Sequence, residues 1–561
     1  MKLLQGGRCT AFMFRIAAAA LLLAAGGAAW AQSGAWYDDL WTKRQAVAVA
    51  DAMVGADLTD FPLLVSVSNP ANGVFSAARA DGRDILFTSG DGLTKLAHEI
   101  ERYDPAAGEL QAWVRVPSLP NAGTTVYMYY GNPAAANQEN RTAVWDSGFE
   151  AVMHLREPAV NGAVGAPHYD STSKGYVGTQ YRNANIAGGR ISAAQNFVRN
   201  DADLNENDAL DVGNIYSDDW TAITLETWIY RNGTEDSRVI AKAFGTNAAD
   251  AVFLLGTSGT NMRVRLGTNS HQLSQDFAVL GGTGVWQHVA WTWSAGDSTV
   301  RVYVDGVPSG TTTVAGTSIR DAATAPSVPS VVLGSDRTDR VTGADNRHFN
   351  GRIDETRISR VVRSADWLRA GALNQSSPAA YLTFTEQVRV AGTARTAVGA
   401  GGIGAGRTVR VAVNAGASFT GTTDAAGAYS IPIPTSAVVS GDRLVAYLDG
   451  AVEKGATVTV TGGGNITGLD IVQNHLTARS ETSGTIGNAD MAAARFAASA
   501  QEALDGITDA ALAQAPGQPI APQRLRDAVM AARDKHDLER RLLALFESDA
   551  ADPRFRDVLE R

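Results

Sequence analysis

The stretch His348-Phe349-Asn350-Gly351-Arg352-Ile353-Asp354-Glu355-Thr356-Arg357-Ile358 is half apolar and half charged, and it sets two carboxylates side by side in what otherwise reads as a β-strand. Alternate side chains of a strand share a face. Phe349, Gly351 and Ile353 thus have one parity and Asp354, Thr356 and Ile358 the other, so strict alternation cannot turn both apolar sets inward. A one-residue bulge at Ile353-Asp354 lets the core-facing phase switch. That reading turns Asp354 inward, leaves Glu355 and Arg357 outside, and points the two carboxylates to opposite sides. An inward Asp needs a hydrogen bond or a metal to offset its burial, so Asp354 is expected to be a structural anchor or a neighbour of calcium.

Working outward, strand-like runs recur at Ala222–Tyr230, Phe253–Leu255, Met262–Leu266, Val285–Trp293 and Val300–Val304, and Asp305-Gly306 before Val307 is a two-residue hairpin signal. The ordered set TLETWIYRNG (224–233), GVWQHVAWTW (284–293), VRVYVDGVPSG (300–310), VVLGSD (331–336), FNGRIDETRISR (349–360) and SADWLRA (364–370) resembles the concanavalin A-like, laminin-G-type jelly-roll domains. VMHLRE (152–157) and DSTSKG (170–175) look like the opening of the same family. The resemblance spans residues 145–385 and implies a lectin-like sandwich, a glycan or other extracellular polymer as partner, and in many relatives bound calcium.

Ahead of this, residues 32–144 alternate short strands with turn signals, as in a β-sandwich. Trp36-Tyr37, Trp41 and Arg44, then DGRDILFT (81–88), LAHEIERYD (96–104), AWVRVP (112–117) and YMYYGNP (127–133), resemble a bacterial domain family of unknown function. Some relatives are fused to, or encoded beside, TolQ/ExbB-type proton channels, which implies an alternative role as an envelope accessory of an energised transport system. Residues 386–478 carry TTDAAGAYSIPIP (422–434) and resemble small Ig-like or carboxypeptidase-regulatory-like spacers. Beyond, in 479–561, Asn488 can cap a helix through Met491, Phe496, Leu504 and Ile507, and a second amphipathic run follows the Pro-rich APGQPIAP (515–522). This helical tail is the segment expected to dock on an envelope partner. The expected fold class is mainly β: tandem β-sandwiches with a C-terminal helical tail.

Composition narrows the function. Hydrophobic residues make up 45% of the 561-residue chain and 57 glycines stand against 19% charged residues, which suits turn-rich β structure with sizeable cores. Arg8 and Arg15 precede the apolar run Ile16–Ala25, and Ala29-Trp30-Ala31 offers small residues for cleavage, so residues 1–31 read as a signal peptide and the protein as exported, whether periplasmic, cell-surface or secreted. Cleavage would remove Cys9, the one cysteine, and take the formal charge from −10 to −13 as Lys2, Arg8 and Arg15 leave. Disulfides and thiolate chemistry are then excluded, and so acidic a chain is a poor ligand for nucleic acid or anionic lipid. No later run is apolar for long enough to enter a membrane as a helix.

Motifs for catalysis are weak. Gly399-x-Gly401-x-x-Gly404 is followed by a strand and not by the helix that a dinucleotide site needs. Ser171-x-x-Lys174 lacks the other elements of the penicillin-recognising signature. A retaining glycosidase, the second alternative, needs two carboxyls about 5–5.5 Å apart, and no convincing strand between Glu206 and Glu355 supplies such a pair. The expectation is a protein that is not an enzyme. For binding, Glu226, Trp228 and Tyr230 share one strand face, opposite Ile223, Leu225, Thr227 and Ile229. Aromatic rings beside a carboxylate suit a pyranose, while the competing reading is that Trp228 is core. Trp291 and Trp293 likewise oppose Trp286 and His288. No cofactor is required on this reading. Calcium is the one that the residues suggest, through Asp201, Asp203 and Asp354, since Asp201-x-Asp203-x-Asn205-x-Asn207 alternates oxygen ligands but departs from an EF-hand at Glu206 and Val212.

Overall fold

The computed structural model describes residues 35–158, 164–182, 184–200, 207–215, 217, 219–244, 247–320, 329–335, 347–414 and 416–494. The chain is mainly β, and no helix among the described residues is long and apolar enough to cross a membrane. The expected signal peptide, Asp201 and Asp203, and the expected docking helices past Ala494 lie outside these residues.

The N-terminal unit packs two sheets on each other. One holds Lys43–Val49, Thr125–Tyr130, Leu86–Thr88 and Lys95–Leu96; the other holds Leu58–Val67, Glu109–Leu119 and His98–Asp104. Strand Thr125–Tyr130 shows how the sequence writes two buried faces: Val126, Met128 and Tyr130 enter the core between the sheets, while Tyr127 and Tyr129 join Trp36 and Trp41 behind it. There the buried Arg44 guanidinium lies 4.7 Å from the Trp36 ring centre and 4.1 Å from that of Tyr127, a desolvated cation–π arrangement. Asp84 ties the DGRD and YYGNP motifs together by accepting from Gly131 N (2.8 Å) and Asn132 N (3.0 Å).

The closing strand of this first sheet comes from far downstream. Leu382–Arg395 pairs in its first half with Lys43–Val49 (Leu382 opposite Val49, Gln387 opposite Arg44) and in its second with Ala428–Pro434. The jelly roll is therefore inserted between strands of one sheet, and the expected boundary at 385/386 cuts through a continuous strand. Val388 and Val390 of that strand also line the core of the third unit, whose second sheet is Ser418–Thr422, Thr408–Val413, Arg443–Leu448, Ala456–Val460 and Leu476–Ser480. The 478/479 boundary also falls inside a strand. Asn488–Ala494 is helical, held by Arg443 to Asp490 (2.8 Å), while the rest of the helix expected through Ile507 lies outside the described residues; the Gly399–Gly404 segment is loop.

The jelly roll consists of two eight-stranded sheets. The front sheet runs Ala184–Ala187, Ala193–Phe197, Gly351–Ser359, Ala222–Arg231, Trp286–Ser294, Thr299–Val304, Val307–Thr313, with Phe149–Met153 beside Gly351–Ser359. The back sheet runs Gln272–Ala278, Asn261–Gly267, Ala251–Ser258, Ser237–Ala243, Val331–Leu333, Ala209–Gly213, Val177–Tyr181, Val164–Tyr169. Ile223, Leu225, Ile229, Trp291, Trp293 and Ile353 meet Val239, Phe253, Leu255, Val264 and Leu266 in the core between them, as the strand parities predict. Asp305 and Gly306 both have positive φ (51° and 76°), the pair of left-handed residues that a type I′ hairpin needs.

The expected bulge is present, but two residues further on, at Glu355-Thr356. Trp228 pairs with Asp354 and Glu226 with Arg357, so Glu355 and Thr356 together oppose Thr227, and Glu355 takes φ 50°. Ile353 stays in the core and Thr356 Oγ1 meets Thr227 Oγ1 (2.9 Å) on the same side. Asp354 and Glu355 thus both project from the outer face, contrary to the expectation that they point apart, because a bulge repeats one side of the pleat.

Candidate functional site

The outer face of the front sheet is where the sequence places its candidate residues, and most of that face is covered. Helix Ala365–Ser376, capped by Ser364 Oγ accepting from Trp367 N (3.1 Å), lies against it. On one side the helix joins the N-terminal unit: Trp367 meets Phe61 edge-on (5.0 Å) and Asn374 bonds both Leu64 N (2.7 Å) and Leu64 O (3.0 Å). On the other, Gln375 Oε1 accepts from Trp228 Nε1 (2.7 Å). Trp228 is only 2% exposed, sandwiched by the Arg190 guanidinium (4.9 Å) and the His288 ring (5.4 Å). Glu226 is buried as well, 3.3 Å from His288 Nε2; burial opposes its charge, but His288 and Arg357 outweigh that and lower its pKa. Glu226 and Trp228 therefore form no open sugar face. The correction has one physical cause: this sandwich buries both faces of its front sheet, so alternation alone could not tell an exposed face from a second interface.

At the centre of that interface is a buried cluster of charged groups. Glu99 and Glu101 come from strand His98–Asp104, His154 directly follows strand Phe149–Met153, and Glu355 and Arg357 come from the bulged strand. His154 Nδ1 lies 2.7 Å from Glu355 Oε1 and 3.6 Å from Glu101 Oε2, and its Nε2 lies 3.3 Å from Glu99 Oε2. Arg357 Nη2 donates to Glu355 Oε2 (2.8 Å), with its guanidinium over Trp113 (4.4 Å) and Trp145 (5.1 Å). Trp113 Nε1 donates to Glu101 Oε2 (2.8 Å) and Ser171 Oγ to Glu99 Oε1 (2.8 Å).

Protonation follows from this geometry. Burial disfavours an imidazolium at His154, but the carboxylates of Glu355 and Glu99 on either ring nitrogen prevail and raise its pKa well above the ordinary value. Burial likewise opposes charge on Glu355 and Glu99, yet His154 with Arg357, and His154 with Arg156, hold both pKa values low. Glu101 goes the other way: burial, then the charge of Glu355, push it up to about 8. Asp354 is raised well above the carboxylate range by burial and by Glu355 and Glu101. Glu99 and Glu355 are thus balanced by His154 and Arg357, while burial and neighbouring carboxylates favour the neutral forms of Glu101 and Asp354.

Glu101, His154 and Glu355 bring ligand atoms within 4.8 Å of one another and are the described residues that could hold a metal ion. Both imidazole nitrogens already face carboxylates, however, so His154 acts as the cation. Asp354 is fully buried and accepts from Ile191 N (2.9 Å). Through that bond it serves as a structural anchor, one of the two roles expected of it. Ser171 donates to a carboxylate instead of an imidazole, and Lys174 pairs with Glu150 (3.5 Å), so Ser171-x-x-Lys174 forms no nucleophile relay. Glu99, Glu101, His154 and Arg357 were not singled out by sequence reasoning. One signal was there: Glu99 and Glu101 sit two apart in HEIER, which puts two carboxylates on one strand face.

One strip of the front face escapes the cover. Asn196, Arg352, Tyr230 and Trp286 form a single cross-strand row, each partly exposed. Tyr230 and Trp286 meet at 5.7 Å with planes at 62°, and the Arg352 guanidinium lies 4.7 Å from the Tyr230 ring centre. Of the three residues expected to bind sugar, Tyr230 alone belongs to this strip.

Comparison with known proteins divides the chain in the same way. Residues 81–158 match the family described as a domain of unknown function, DUF2341, and residues 204–369 match the concanavalin A-like lectin/glucanases superfamily. Glu99, Glu101 and His154 fall in the first match, Glu355 and Arg357 in the second. No curated protein matches the chain. Among solved structures, domain 4 of AbnA, an extracellular GH43 arabinanase from Geobacillus stearothermophilus, is 17% identical over 38% of this chain and 100% of that one, with a TM-score of 0.28. The SAP-like pentraxin of Limulus polyphemus is 17% identical over 28% of this chain and 73% of that one (TM-score 0.23). The CBM40 of the Ruminococcus gnavus IT-sialidase, bound to sialyllactose, is 16% identical over 29% of this chain and 96% of that one (TM-score 0.24). The chain carries a DUF2341 domain followed by a concanavalin A-like domain of the lectin/glucanase superfamily.

Proposed function

We propose that the protein is an exported, non-catalytic binding protein that recognises a glycan or another extracellular polymer through its concanavalin A-like domain. The observation that carries this reading is the row Asn196–Arg352–Tyr230–Trp286, because two half-exposed aromatic rings next to an amide and a guanidinium provide apolar surface for a sugar ring and polar groups for its hydroxyls. The family described for residues 204–369 includes lectins as well as glucanases, and the adjacent carboxylates here, Asp354 and Glu355, are sealed from any glycosidic bond at 0% and 2% exposure. The N-terminal unit, packed on the outer face of the front sheet, acts as the scaffold of the binding domain. Glycan-array binding tests the reading: Trp286→Ala and Tyr230→Ala should each weaken binding about tenfold or more, the scale of losing a stacked ring. Binding that survives both substitutions, or reducing-sugar release from a polysaccharide panel, would refute it.

A further inference from the structure

The outer face of the back sheet carries an arginine that no carboxylate among the described residues pairs with. Thr179, Asp211, Val332, Ala241, Leu254, Arg265 and Ser274 form one cross-strand row there, and Arg238, Gly256, Arg263 and Asp276 form another. In the second row the charges are matched. Asp236 Oδ1 accepts from Arg238 Nη1 and from Arg263 Nη1, both at 2.6 Å, and Asp276 takes Arg263 in a two-pronged pair at 2.7 Å on each prong. Both carboxylates are thereby committed.

Arg265 stands two residues from Arg263 on the same strand face, 8% exposed, with a buried Nε that has no hydrogen-bond partner. No ion pair to it occurs among the described residues. Arg347 adds a third neighbouring guanidinium, placed beside Arg238 by the bond from Arg238 N to Arg347 O (3.0 Å). Burial and then the charges of Arg238, Arg263 and Arg347 push the Arg265 pKa down to about 10. A desolvated, unmatched cation among like charges is costly to keep, and an oxyanion seated against it removes that cost.

We infer that Arg265 forms the floor of a subsite for a single oxyanion, the carboxylate or sulfate ester of an acidic polysaccharide, on the outer face of the back sheet. The polysaccharide is taken from the glycan-binding reading above; the oxyanion subsite rests on the arginines alone. One buried guanidinium selects one anionic group, and the net charge of −10 repels a general polyanion such as nucleic acid.

Titration calorimetry of the full chain with sodium sulfate, an oligogalacturonate, a chondroitin sulfate oligosaccharide and a neutral cello-oligosaccharide tests this, with Arg265→Gln and Trp286→Ala as variants. Wild type should prefer one acidic oligosaccharide over the neutral one at least tenfold, and which one it prefers separates carboxylate from sulfate ester. R265Q should abolish that preference, whereas W286A should leave the ratio unchanged. Sulfate alone should raise the Tm of wild type and not of R265Q, and without anion R265Q should be at least as stable as wild type. If R265Q keeps the acidic preference, or loses stability in anion-free buffer, the subsite is refuted. If no oligosaccharide binds but the sulfate shift still depends on Arg265, the oxyanion subsite stands and the glycan reading falls.

Discussion

The two outer faces of the jelly roll handle buried charge in opposite ways. On the front face, Glu99 and Glu355 are answered by His154 and Arg357, while burial favours the neutral forms of Glu101 and Asp354. On the back face, Asp236 and Asp276 satisfy Arg238 and Arg263 and leave Arg265 over. Each cation of the front-face cluster has a carboxylate partner, as an interface within the molecule requires, whereas Arg265 has none among the described residues, which leaves capacity for a ligand. Apolar packing agrees, because Val152, Ala290 and Tyr303 of the front sheet lie in one continuous core with Leu63, Phe61 and Trp113 of the N-terminal unit.

The contrast can be broken by removing one partner on the closed face. Arg357→Ala removes one of the two cations paired with the buried Glu355 carboxylate and should cost about 3 kcal/mol in urea unfolding; a loss under about 1 kcal/mol would show that the cluster is not closed as described. Trp228→Ala, which empties the space between Arg190 and His288 and orphans Gln375, should cost about 3 kcal/mol or more. That loss would separate it from the binding strip, where Trp286→Ala should cost less than about 1 kcal/mol because the ring is already partly in water.

The pH dependence sharpens the comparison further. Glu101, raised from an ordinary 4.5 to about 8, contributes stability that is fully present below pH 4.5 and is lost as pH rises through about 8. His154, also raised, acts in the same direction above its ordinary 6.5. Glu99 and Glu355, both lowered, contribute above their ordinary 4.5 and lose that contribution as pH falls through their depressed values. Stability should therefore be greatest on the mildly acidic side and decline toward pH 8. Glu101→Gln keeps an acceptor for Trp113 Nε1 and removes one titrating group, so the Tm difference between pH 5 and pH 8 should shrink. An unchanged difference would place the titration elsewhere.

Much of the architecture was written in local pattern. The order of motifs from TLETWIYRNG to SADWLRA marks the jelly roll, parity sends Trp291 and Trp293 inward, and Asp305-Gly306 sets a hairpin. The need for a bulge in HFNGRIDETRI was also legible, since two apolar parities cannot share one face without it. Its position was not, because the register is decided by the partners Trp228 and Glu226 across the sheet. The site was the least legible part. Glu355 finds His154 at a separation of 201 residues, and nothing near either residue encodes that meeting.

By itself, then, the sequence determined which segments are strands, which faces are apolar and where the chain must turn, because those follow from side-chain period and backbone sterics within a few residues. Only the tertiary structure decided that Trp228 is sealed while Tyr230 is not, that Asp354 and Glu355 share a face, and that strand Leu382–Arg395 closes a sheet begun at Lys43. Those outcomes depend on which surface covers which, and burial by a distant segment is a property of the assembled chain.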